Sequence, residues 1–68
     1  MINLSKTMRI INVLSINRYI LAVYYTAYDC YKYSVIDDYG TVYEPDDIFY
    51  TPDAAEYEGR EAINTVSN

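Results

Sequence analysis

The groups on this chain that could do chemistry are carboxylates and phenols. Ten Asp and Glu residues and ten tyrosines stand among 68 residues, beside one cysteine and no histidine. Without an imidazole, the usual general base near neutral pH is missing. Cys30 has neither a basic neighbour nor a helix N-terminus to activate its thiol, so a nucleophile–base pair is not expected. Two carboxylates in an apolar cleft could do acid–base work. All ten, however, fall in expected turns, loops or helix faces, where a carboxylate stays solvated. Gly40 and Gly59 are isolated, so they cannot build a phosphate-cradling loop. Asp37, Asp38, Asp46 and Asp47 offer enough oxygens for calcium but lack the alternating spacing of a calcium loop. No Cys/His cluster is available for zinc. The expectation is a chain without catalytic residues, cofactor or metal.

Recognition is what remains for these groups. Tyr joins a large ring to a polar tip, which suits a small sheet wet on both faces, and it is also a favoured anchor at protein interfaces. The candidate partner-binding residues are Tyr57, Asp53, Glu56 and Glu61 on an exposed helix face. The loop acids Asp46 and Asp47 lead into that helix, and Tyr39 sits in a turn. Lys6, Arg9 and Arg18 lie in residues 1–18 with no acid. Residues 19–68 hold Lys32 and Arg60 against all ten acids, a net of −8. Such a body does not neutralise phosphates, so direct binding to nucleic acid or to an anionic membrane is not expected. A basic or nucleic-acid-binding protein partner fits the charge, and a homo-oligomer stays open.

The elements that must position these groups are legible from residue 18 onward. Tyr31–Ile36 alternates at period two and is rich in aromatic and β-branched residues, as strands are. Asp37-Asp38-Tyr39-Gly40 reads as a three-residue hairpin loop. Asp37 accepts from a backbone N–H two residues on, and Gly40 takes φ > 0 as the bulge residue. That register sets Val35 opposite Tyr43, with Tyr33, Val35 and Tyr43 on the core face. Ser34, Ile36, Val42 and Glu44 fall on the other. Pro45 breaks the second strand, and Ile48–Tyr50 resumes briefly at an edge. Thr51-Pro52-Asp53 starts a helix: Thr51 as N-cap, Pro52 at the first position, Asp53 at the positive end of the dipole. Tyr50 is placed to staple onto Ala55. At about 100° per residue, Ala55, Gly59, Ala62, Ile63 and Val66 form a narrow small-residue face that should lie close on the sheet. Tyr57 points away and should be exposed, and Glu56 with Arg60 makes an i,i+4 pair.

Upstream, Tyr19–Tyr25 reads as a strand by composition, turning through Thr26–Cys30. The N-terminal segment, residues 1–17, fits two templates. Leu4, Met8, Ile11 and Leu14 recur at helical spacing with Ser5 as a cap, while Arg9–Leu14 also suits a short strand. Asn12, Asn17 and Arg18 interrupt the apolar run and no cleavage site follows, so a signal peptide is not expected. Nor does any uninterrupted apolar stretch reach membrane-spanning length. Met8 is an alternative start, and a cytoplasmic location is expected.

The fold expected is therefore α+β and a single small domain. It comprises a basic N-terminal segment (1–17) that is helix or strand and covers an edge or the second face, then a three-stranded antiparallel β-meander (18–50). A C-terminal helix (51–66) packs on one face. With a helical N-terminus the α-β-β-β-α order resembles that of double-stranded RNA-binding domains. Those depend on a basic second helix where this one is acidic, and no function carries over. Small acidic single-domain proteins of this kind also resemble the anti-CRISPR and anti-restriction inhibitors of phages. That resemblance implies an acidic surface mimicking nucleic-acid phosphates. The principal expectation is a non-catalytic protein-binding module, an adaptor, accessory subunit or regulator, that docks its partner through Tyr and carboxylate side chains.

Overall fold

A computed structural model describes residues 9–67. The described residues form an α+β domain of four antiparallel strands and one helix. The strands are β1 (Arg9–Ile16), β2 (Tyr19–Thr26), β3 (Cys30–Ile36) and β4 (Val42–Tyr43), and the helix is α1 (Pro52–Ser67). The strands pair in sequence order as a meander. The expected Tyr19–Tyr25 and Tyr31–Ile36 strands are β2 and β3. Of the two templates for the N-terminus, residues 9–14 take the strand, so the order among the described residues is β-β-β-β-α, not the one on which the resemblance to double-stranded RNA-binding domains rested. The expected cap at Ser5, the apolar positions Leu4 and Met8, and the alternative start lie outside the described residues.

Tight turns make this meander. Asn17 and Arg18 alone join β1 to β2, both at positive φ (50° and 72°). That geometry matches the right-handed twist of a hairpin, and Asn tolerates it well. Between β3 and β4 the turn is as expected. Asp37 Oδ1 accepts from the N–H groups of Tyr39 and Thr41, both at 2.9 Å. Gly40 sits at φ 85°. β4 ends after two residues at the approach to Pro45, and the backbone pairs with the sheet again at Phe49, which exchanges two hydrogen bonds with Tyr31.

Period-two alternation then sorts the side chains. Leu21 and Val23 of β2 lie opposite Val35 and Tyr33 of β3, and all four are buried beneath α1. The helix supplies Ala55, Gly59 and Ile63 to the same core. Gly59 permits this close approach: a Cβ on it would crowd the Leu21 Cδ1 methyl, with Cδ2 3.1 Å and Cγ 3.3 Å away. The small-residue face thus lets the helix backbone rest directly on β2. At the helix start, Thr51 Oγ1 accepts from the Ala54 N–H at 3.1 Å, the expected cap.

Two expected core members and one staple are corrected. Tyr43 is 54% exposed, because α1 rides over β2 and β3 and leaves the short β4 uncovered. Val66 is 63% exposed near the helix end, outside the apolar cluster. Tyr50 is 74% exposed, so little of its ring is stapled onto Ala55, which is fully buried in the helix–sheet core.

Candidate functional site

Because the helix stops short of β4, a groove of about 710 Å³ opens between its flank and the β3–β4 hairpin. One wall is helical. Glu58, Glu61, Ala62 and Thr65 fall on a single flank at the helical period, adjacent to the buried stripe. Tyr33 and Val35 form the floor, with Tyr19 among the lining residues. The opposite wall is the hairpin and the loop after it, through Asp37, Tyr43 and Asp47. Tyr33 and Tyr43 meet at 6.3 Å between ring centroids, and Phe49 packs on Tyr33 at 6.1 Å. Buried Tyr33 is thereby held from both sides, while Tyr43 presents half its surface.

The electrostatics are one-sided. Every ionisable carboxyl or amine group lining the groove is a carboxylate: Asp37, Asp47, Glu58 and Glu61. Asp37 is engaged in its turn, but Asp47, Glu58 and Glu61 form no ion pair among the described residues. The described cations lie elsewhere. Arg60 pairs with Glu56 at 2.9 Å, Arg18 approaches Asp38 at 3.8 Å, and Arg9 stacks over Tyr25. Lys32 lies opposite Tyr24 on the face without the helix. The groove's negative field reaches the floor. The Tyr33 phenol is pushed up to about 12, chiefly by burial, then by the neighbouring Tyr43 phenol and by the charges of Glu58 and Asp47.

The residues singled out from the sequence divide between two sides of the helix. Asp47 and Glu61 line the groove. Glu56 is tied to Arg60 and accepts from Asn12 Nδ2 at 3.3 Å on the β1 side. Tyr57 is 62% exposed, as expected, and is not among the groove-lining residues, although it stands one turn before Glu61. Asp53 and Asp46 are exposed outside it, and Tyr39 stands free at the hairpin tip. Sequence reasoning missed Tyr19, Tyr33, Tyr43, Asp37 and Glu58 as lining residues. Their signals were present separately. Tyr33 and Tyr43 share a strand face, and Glu58 shares a helix flank with Glu61. Only the offset of the helix from β4 joins the two sets.

A second polar feature lies on the other face of the sheet. Tyr24, 5% exposed, donates its hydroxyl hydrogen bond to Glu44. Its phenol is also pushed up to about 12, by burial first and then by the Glu44 carboxylate, against a smaller opposing effect of Ser34. This bond ties the loop after β4 across β3 to β2.

No group of three or more His, Cys, Asp or Glu side chains among the described residues is close enough to hold a metal ion. Likewise, no helix among them is long and apolar enough to cross a membrane. Compared with known protein families, curated proteins and solved structures, the chain matches none.

Proposed function

We propose that this chain is a non-catalytic protein-binding module that docks a basic segment of a partner protein in the groove between α1 and the β3–β4 hairpin. One observation carries the reading. A cleft of the size that binds ligands is lined by three tyrosines and four carboxylates, without a lining cation. Aromatic rings that are part apolar and part polar anchor protein interfaces, and a surrounding rim of one charge selects partners of the other. Like-charged nucleic acid is repelled by the same rim. A phosphate-mimicking inhibitor would use these carboxylates differently, as a spaced row with no need of the rings.

The test is an NMR titration of the isotope-labelled chain with a short peptide alternating Arg or Lys with Leu. Shifts should concentrate at the groove residues. The double variant Tyr43→Ala/Glu61→Gln should weaken binding by about tenfold or more while the domain still folds, as its melting transition reports. Tyr28→Ala, in the β2–β3 turn and outside the groove lining, should leave affinity unchanged. Shifts that map to another face, or binding indifferent to the double variant, would sink the reading. Affinity that survives loss of Tyr43 but collapses with salt would favour the phosphate mimic instead.

A further inference from the structure

We infer that the group the groove recognises is the guanidinium of an arginine side chain on the partner, stacked on the exposed Tyr43 ring and forked onto the carboxylates of Asp47 and Glu58. The inference rests on the docking reading above and specifies its chemistry.

Three observations narrow the ligand to this cation. First, negative charge gathers around rings. Asp47, Glu58 and Glu61 carry no ion pair among the described residues, and they share the groove with Tyr19, Tyr33 and Tyr43. A cation there is attracted both by the carboxylates and by the negative faces of the rings. Second, the acids are too dispersed to act as one compact ligand set. A calcium ion needs six to eight oxygens within a short radius. A delocalised cation spreads its charge over a plane and needs no such convergence. Third, the ring positions suit a flat group. Tyr43 is 54% exposed and packs on Tyr33 at a 55° tilt, so about half of its surface is free for contact. Guanidinium is planar, weakly hydrated and able to bond a carboxylate through two N–H groups while stacking. A lysine ammonium is compact and strongly hydrated, so it gains less from the ring and gives up more water on entry.

Asp47 and Glu58 are named because they line opposite walls of the groove, the loop and the helix, with Tyr33 on the floor, and the charges of both raise the Tyr33 phenol. Asp37 is left out because its Oδ1 already holds the Tyr39 and Thr41 amides.

The experiment uses three small probes, the N-acetyl amides of arginine, lysine and citrulline, titrated into the labelled full chain and followed by NMR. Citrulline keeps the shape of arginine and removes its charge. The arginine probe should give saturable shifts at Tyr43, Asp47 and Glu58, with affinity about fivefold or more above the lysine probe, and the citrulline probe should not saturate. Tyr43→Leu should erase the preference for arginine over lysine, and Asp47→Asn with Glu58→Gln should weaken both cationic probes alike. Bound arginine should also lower the pH at which Tyr33 ionises, because a cation favours the phenolate. Lysine binding as tightly as arginine, citrulline binding as tightly as either, or no saturable arginine shifts would each overturn the inference. The docking reading is judged separately, by whether the longer basic peptide maps to the groove.

Discussion

At the scale of single residues, Gly59 shows how a helix-weakening choice is overridden by packing. In an isolated helix, Ala in its place would gain about 1 kcal/mol. Here the added Cβ meets Leu21, itself fully buried between β1, β3 and the helix. Overpacking of a closed core costs about 1–3 kcal/mol. Gly59→Ala should therefore bring no gain and cost up to about 2 kcal/mol, leaving the melting temperature unchanged or lower by several degrees in a domain this small. Thermal unfolding followed by circular dichroism checks it, and a raised melting temperature would mean that α1 stands further off the sheet.

Among the elements, α1 depends on its cap and on its seat. Sixteen residues is near the length at which an isolated helix is marginal in water, so its first turn matters. Thr51 satisfies the Ala54 N–H, and Pro52 needs no partner at the first position. Thr51→Ala should cost about 1 kcal/mol, while Thr51→Ser should cost little. Urea unfolding of the two variants separates them, and equal midpoints would show that the hydroxyl contributes nothing. The seat has a functional consequence. Had the sheet-facing stripe been wider, α1 could have reached β4 and closed the groove. Its narrowness, set by Ala55, Gly59, Ala62 and Ile63, keeps the helix on β2 and β3.

For the molecule as a whole, two phenols built into opposite faces of the sheet make stability sensitive to alkali. Tyr24 and Tyr33 each have their pKa raised from 10.0 to about 12 on folding. The folded state thus holds these protons more tightly than the unfolded chain. The stability they contribute is complete below pH 10, where both states are neutral, and is lost as pH rises from 10 through 12. Urea unfolding repeated across that range should give a falling midpoint. Tyr24→Phe/Tyr33→Phe should flatten the fall, provided the double variant still folds, which its neutral-pH midpoint reports. A midpoint of the parent chain independent of pH between 10 and 12 would contradict the buried state of these rings.

Local elements can be read without the fold wherever a side chain acts on its own backbone. Asp37 and Gly40 specify their turn, Thr51 and Pro52 specify the helix start, and alternation in Tyr31–Ile36 specifies a strand and its buried face. Those signals are short-range and need no knowledge of the rest of the chain. The state of Arg9–Ile16 was not determined locally. Its apolar residues satisfy helical and strand spacing equally, and Asn17-Arg18 is a tight turn without the glycine that would mark it. Pairing with the open edge of β2 decides the matter, because only a strand there satisfies the backbone of both. The groove was the least legible of all. Its carboxylates and rings come from β2, β3, β4, the following loop and α1, and no periodicity relates them. Only tertiary structure brings them together, through a helix seated by its small residues on two strands and a fourth strand too short to be covered.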